Sequence, residues 1–278
     1  MNYFDAAVLG VIEGLTEFLP VSSTGHLILA SRALGLPSTD FLKTFEIAVQ
    51  LGAVAAVVLL YSRRLWREPA VVRRVLAAFV PTAVVGLVVY KGVKTLLGEA
   101  DVVAWSLLVG GVLILIFEEA YARTAAPRPW LGPVGAWLRR LARRVTPGEP
   151  LDRLDAMTYR QALGIGLCQT LAMVPGVSRS GATVLGGLAL GLSRRAIVEF
   201  SFLLAVPTML AATAYDLYKE GASFTGADFG LLAVGAAVAF VVAWLVVKWL
   251  LAYVQRHDFR LFGAYRIAVA VAYWWLIK

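Results

Sequence analysis

Charge is scarce in this sequence. Of its 278 residues only 16% are Asp, Glu, Lys or Arg, while 60% are hydrophobic, against roughly 45–50% in a soluble domain. That excludes an ordinary soluble domain and makes lipid the expected solvent. Cysteine is scarcer still. The single Cys168 excludes an intramolecular disulfide framework, and its run GIGLCQTLAM offers no metal-ligand spacing, so it reads as a small packing residue. Histidine occurs twice, at His26 and His257. The N-terminus, MNYFDAAVLGVIEG, lacks a basic region and carries Asp5 and Glu13. No cleaved signal is expected there, and the first helix is read as part of the mature protein.

What the chain has in quantity is apolar sequence. A bilayer-spanning helix needs about 20 mainly apolar residues, and segments near 44 to 61, 75 to 97, 104 to 121, 196 to 215, 229 to 252 and 262 to 277 meet that need. The expectation is an all-α integral membrane protein of about six transmembrane helices, forming a single polytopic domain over 1–278. The net charge of +8 does not point to nucleic acid, because the basic residues fall in short loops between apolar segments.

Those loops set an orientation. Arg63, Arg64, Arg67, Arg73 and Arg74 lie in the linker 62 to 74. Arg123, Arg128, Arg139, Arg140, Arg143, Arg144, Arg153 and Arg160 lie in the segment of approximately 122–160. Positive charge marks cytoplasmic loops. The connections 98 to 103, with Glu99 and Asp101, and 216 to 228, with Asp216, Glu220 and Asp228 against Lys219 alone, read as external. Six spans then leave both chain ends outside. The cytoplasmic loop, rich in proline, holds one candidate amphipathic helix, PVGAWLRRLARRV, suited to anionic lipid.

Two stretches are too short and polar to cross simply: roughly 5 to 36, broken at Pro20 to Gly25, and 161 to 192, broken at Pro175 to Gly181. They match at an offset of 156 residues. Gly10 pairs with Gly166, Leu15 with Leu171, Ser22 with Ser178, Gly25 with Gly181, and Ala33-Leu34-Gly35-Leu36 with Ala189-Leu190-Gly191-Leu192. Three spans separate the copies, so the second enters from the opposite face. This gives two re-entrant helix-loop-helix hairpins in an inverted-topology repeat, approximately 5–61 and 161–217, with their polar tips near the midplane.

Chemistry concentrates at those tips. Glu13 and Glu17, four apart, place two carboxylates on one helical face, and two like charges there call for an arginine partner or a divalent cation, Mg²⁺ or Ca²⁺. A proton-sharing pair is the competing reading. FLPVSSTGH sets Ser22, Ser23, Thr24 and His26 against a proline, the neighbourhood of a general base or a nucleophile's partner, though a satisfied buried histidine would read alike. His257 reads as interfacial. MVPGVSRSGAT offers Ser178, Ser180 and Thr183 as hydroxyl donors, with Arg179 as a fixed planar cation, a pattern suited to phosphate. Glu46, Gln50 and Glu199 are read as support for the same cavity or as helix pairing, and Arg266 is ambiguous.

EGLTEFLPVSSTGH and PGVSRSGAT resemble the Glu-rich and Pro-Gly-x-Ser-Arg-Ser-x-x-Thr motifs of undecaprenyl-pyrophosphate phosphatases of the bacitracin-resistance type, and FEIAVQLGA and FGAYRIAV extend the resemblance over nearly the whole chain. That resemblance implies hydrolysis of undecaprenyl diphosphate to undecaprenyl phosphate and inorganic phosphate, which recycles the carrier for peptidoglycan. The site would face the periplasm from a bacterial inner membrane. It further implies Glu13 and Glu17 as metal ligands, His26 as an acid/base or nucleophilic group, and Arg179 with Ser178, Ser180 and Thr183 as a diphosphate clamp. Ser22 and Ser23 would be phosphate ligands or nucleophile, Ser23 preferred. The expected partners are the polyprenyl diphosphate and membrane lipid, and a homodimer stays open. A lipid-phosphate flippase is the alternative, since inverted repeats with broken helices also build transporters.

Overall fold

The structure, a computed structural model, describes residues 1–96, 99–125, 150–220 and 224–276. Among these residues the regular structure is helical, apart from one isolated bridge between Leu151 and Leu192. In chain order the helices are α1 (Tyr3–Thr16), α2 (Ser23–Ala33), α3 (Asp40–Ala48), α4 (Gln50–Arg67), α5 (Pro69–Leu96), α6 (Ala100–Ala125), α7 (Tyr159–Thr170), α8 (Arg179–Ala189), α9 (Arg194–Glu220), α10 (Gly226–Tyr253) and α11 (Arg260–Leu276). The amphipathic helix expected in PVGAWLRRLARRV lies outside the described residues.

Among the described residues, five stretches are long and apolar enough to cross a membrane: Asp40–Arg67, Pro69–Tyr90, Ala100–Ala122, Arg194–Lys219 and Gly226–Tyr253. The sixth expected span is the 17-residue α11, which is not among them. Exposed apolar side chains such as Leu87, Val88 and Trp105 are where hydrocarbon can replace water. The basic linker 62 to 74 is not an open loop. α4 runs to Arg67, α5 begins with Pro69 at its first turn, and Glu68 alone separates them. Proline is accommodated there because the first N–H groups of a helix have no internal partner. The first span is broken at Val49, where α3 gives way to α4.

Both hairpins are present as helix, break, helix, with the breaks earlier than the proline and glycine positions alone indicate. The first runs from Glu17 to Ser22. The second begins with a 3₁₀ turn, Leu171–Met173, and ends at Ser178. The reason is capping: the Ser22 hydroxyl accepts the Gly25 N–H at 3.4 Å and the Ser178 hydroxyl accepts the Gly181 N–H at 3.0 Å. Each serine thus starts a helix at the residue after it. α2 and α8 then correspond residue for residue at the 156-residue offset, and both are followed by a positive-φ glycine, Gly35 at 69° and Gly191 at 89°.

The repeat extends to packing. α1 lies along α10 and α7 along α5. A Cβ on Gly10 would stand 2.5 Å from the Gly235 carbonyl oxygen, and one on Gly166 only 2.0 Å from that of Ala78. Both helices therefore rest backbone against backbone, which fixes how deeply each hairpin sits. Cys168 packs against Gly186 in the second hairpin, as a small filler.

At the arginine-rich end, charges are paired rather than free-standing. Arg194 and the Phe259 N–H both reach the fully buried Glu118, the latter at 3.1 Å, and Arg260 meets Glu119 at 2.7 Å. Those contacts join α6, α9 and the start of α11.

Candidate active site

A cavity of about 540 Å³ opens between the two breaks, α5 and α9. Glu17, Ser22, Ser23, Thr24, Ser178 and Arg179 line one part of it, together with Glu46 and Gln50. Apolar groups such as Phe79, Leu87, Met173 and Met209 line much of the rest. The N-termini of α2 and α8 both begin at this wall. A helix N-terminus presents N–H groups without helical partners and a partial positive charge, an arrangement suited to an anion.

Glu17 is the hub. One carboxylate oxygen accepts the Ser23 hydroxyl, and the other accepts Arg179 Nε and Nη2 at 3.3 Å each. Arg179 is itself buried, with Nη1 donating to the Ser201 carbonyl at 2.8 Å. The two bonds to Glu17 exceed the 2.7–2.9 Å usual for charge-assisted pairs. Glu13 lies one turn before Glu17, is fully buried, and has both carboxylate oxygens without a hydrogen-bond partner. Such an orphaned acid is costly and implies a missing cation or proton. Among the described residues no group of three His, Cys, Asp or Glu gathers in the geometry of a metal site. Two hard carboxylates fit a cation of the Mg²⁺ kind, which keeps several waters and takes further oxygens from a bound phosphate.

Other expected site residues fall elsewhere. Ser180 and Thr183 do not line the cavity. The Ser180 hydroxyl donates to the Leu19 carbonyl at 2.6 Å, tying the second tip to the first. The Thr183 hydroxyl donates within α8 and meets the Ser201 hydroxyl at 2.7 Å. Ser178 lines the cavity but also caps α8. His26 points away from the cavity wall. Nδ1 is 2.8 Å from the Ser22 carbonyl oxygen, Nε2 is 2.9 Å from the Tyr265 hydroxyl, and its ring stacks on Tyr265. With both ring nitrogens engaged, His26 ties the first break to Tyr265 of α11. Glu199 also leaves the site: it pairs with Arg64 and Arg195 in a second cavity of about 370 Å³. His257 is exposed, stacked on Tyr253.

One partner of Arg179 escaped the sequence. Ser201 gives no motif signal, because its contribution is largely a backbone carbonyl. Arg266 did give one, a cation inside the apolar run FGAYRIAVA, but nothing in the sequence said what would receive its donors.

Apolar helices long enough to span a membrane, packed around a largely apolar cavity that carries Arg179 together with Glu17, Glu46 and Asp216, define a multi-pass membrane protein. The chain belongs to the family described as "Bacitracin resistance protein BacA", which matches residues 6–272. It is 45% identical over 274 residues to the undecaprenyl-diphosphatase of Aquifex aeolicus, covering 98% of each chain. It is 43% identical to that of Bdellovibrio bacteriovorus, covering 98% of this chain and 94% of the relative. A third undecaprenyl-diphosphatase, from Campylobacter hominis, is 42% identical over the full length of both.

Proposed function

We propose that this protein is an undecaprenyl-diphosphate phosphatase, releasing inorganic phosphate and returning undecaprenyl phosphate to peptidoglycan synthesis, an activity that removes the target of bacitracin. The observation that carries this reading is the Ser23 hydroxyl donating to Glu17 while Arg179 holds the same carboxylate, at a cavity where two helices begin. The family and the names of the relatives agree with it, and no relative cited above is named a flippase.

In this mechanism the diphosphate enters with its terminal phosphate at the N-termini of α2 and α8 and its prenyl chain along the apolar wall. Ser23 Oγ attacks the terminal phosphorus as Glu17 takes the hydroxyl proton. The bridging P–O bond breaks, and the electron pair leaves on undecaprenyl phosphate. Arg179 and the helix N-termini stabilise charge on the transferring and leaving oxygens, which is the main demand of phosphoryl transfer. Glu17 passes that proton to the leaving undecaprenyl phosphate and, ionised again, takes a proton from water, which cleaves the phosphoserine; the proton returns to Ser23 Oγ and phosphate is freed. Ser22 and Ser178 hold the loops that present those N–H groups. Glu13 and Glu17 would hold a divalent cation, Mg²⁺ or Ca²⁺, which when bound would neutralise phosphate charge.

The finer architecture belongs to the same reading. The chain is a single membrane domain of six spans, α11 included, and α1–α2 and α7–α8 are re-entrant hairpins of an inverted repeat. The arginine-rich end is cytoplasmic, and the cavity opens to the periplasmic side of the inner membrane. Support comes from the residue-for-residue match of the hairpins and the separation of basic from acidic connections.

The deciding experiment is phosphate release from a polyprenyl diphosphate by purified protein in detergent. With no two compartments present, transport cannot yield free phosphate, and absence of release would defeat the enzyme reading.

A further inference from the structure

The reaction outlined above leaves Arg266 without a task. It is 2% exposed on α11, and among the described residues no carboxylate forms an ion pair with it. Each hydrogen bond it makes ends on a backbone carbonyl. Nη1 donates to Pro20 at 3.3 Å, Nη2 to Gly176 and to Ser106 at 2.9 Å each, and Nε to Leu107 at 3.3 Å. A guanidinium buried without a counter-ion is costly, and this one is compensated by spending its five-donor fork on three separate segments.

Two of those segments are the hairpin tips. Pro20 lies in the first break, between Glu17 and Ser23, while Gly176 lies in the second, three residues before Arg179. Ser106 and Leu107, on α6, supply a fixed floor beneath both. Tyr265, the preceding residue, holds His26, which in turn holds the Ser22 carbonyl. Consecutive residues of α11 thus grip the first break, and Arg266 alone reaches across to the second. Arg266 does not line the cavity.

We propose that Arg266 is a positioning residue: it fixes the spacing of the two tips, and thereby the meeting of Glu17 and Ser23 with Arg179, without touching the substrate. The proposal rests on the phosphatase reading for its kinetic consequence. A neighbouring glycine makes it testable without altering the arginine. A Cβ on Gly110 would stand 2.1 Å from Arg266 Nη2, and this guanidinium can move aside only by giving up its carbonyls. Lysine at 266 would keep the charge and lose the multi-point hold.

The test uses full-length protein in detergent with a polyprenyl diphosphate, comparing the unaltered chain with Arg266→Lys, Gly110→Ala, Arg179→Lys and Arg179→Lys/Arg266→Lys. Both positioning variants are expected to lower kcat by about 10-fold or more with KM within about twofold, the signature of an interaction that matters in the transition state. The double variant should be no worse than Arg179→Lys by more than about threefold, because the two act through one geometry. Hydrogen exchange read by mass spectrometry should rise in peptides covering 17–25 and 174–181 and stay unchanged in the spans.

Near-unaltered kcat in the folded variants, losses that multiply in the double variant, or exchange that rises throughout would each overturn the proposal. If Arg266→Lys does not fold, Gly110→Ala decides it. Inactivity of the unaltered protein would defeat the phosphatase reading instead, and the exchange pattern would then decide the positioning role by itself.

Discussion

Ser22 and Ser178 stand 156 residues apart and cap their helices in the same way, each hydroxyl accepting the N–H of the glycine three positions on, yet their backbones differ. Ser178 has φ −66° and ψ 125°, whereas Ser22 has φ 74° and ψ 94°, the one non-glycine residue with positive φ among those described. A side chain held there costs about 1–3 kcal/mol. The strained residue directly precedes Ser23, whose hydroxyl donates to Glu17.

That difference separates two otherwise equivalent substitutions. Ser22→Gly relieves strain and forfeits only a few tenths of a kcal/mol of capping, so its unfolding midpoint in detergent is expected to rise by about 2–4 °C while activity falls. Ser178→Gly has no strain to relieve, and its midpoint should fall. Scanning fluorimetry reads both, and the opposite order would show that Ser22 is not strained.

In the proposed reaction Ser23 and Glu17 act as one unit, so their losses should not multiply. Ser23→Ala is expected to lower kcat by about 10³-fold or more, with Ser23→Ala/Glu17→Gln little worse than Ser23→Ala. Steady-state phosphate release on the single and double variants checks this. Multiplying losses would separate the serine from the carboxylate.

Arg179 offers two oxygens a planar fork that lysine cannot reproduce. Arg179→Lys should fold and lose about 10²-fold in kcat, and Arg179→Ala should lose more. Near-normal turnover by a folded Lys variant would make charge alone sufficient and remove the bidentate hold.

The carboxylate pair supplies too few ligands to bind a cation tightly by itself. Calorimetry is expected to show weak Mg²⁺ or Ca²⁺ binding to the protein alone and binding at least 10-fold tighter with a non-hydrolysable diphosphonate lipid present. Glu13→Gln should abolish that increase. Full activity in chelator would exclude a metal role for the pair.

Orientation is open to labelling. In a Cys168→Ser background, a cysteine at Thr225, which caps α10, should react with an impermeant reagent in intact cells. One at Asp152, in the basic segment, should be shielded. Reversed labelling would invert the topology and the side from which substrate enters.

Much of this was legible in the chain because membrane folding writes its rules in composition. Long apolar runs announce five of the spans, and the hairpins announce themselves by serine and glycine recurring in register. Legibility stopped where the backbone is the actor. Arg266 binds only carbonyls and Ser201 offers one to Arg179, and a carbonyl has no letter in the sequence. His26 shows the same limit: the three nearby hydroxyls can be read in the sequence, but the partner of its second nitrogen, Tyr265, lies 239 residues away. Ser180 and Thr183 lie in the first turns of α8, just past the second break, and their side chains turn toward Leu19 and Ser201.

At the position of Glu13 the second hairpin carries Gln169, whose amide donates to Thr82 at 2.9 Å and Thr208 at 3.1 Å. The difference does not stop there: Glu17 corresponds to Met173, and Ser23 to Arg179. Two hairpins built alike thus bring unlike side chains to one cavity, so turning the molecule over does not reproduce its interior, and a ligand meets acid and hydroxyl from one half and a guanidinium from the other.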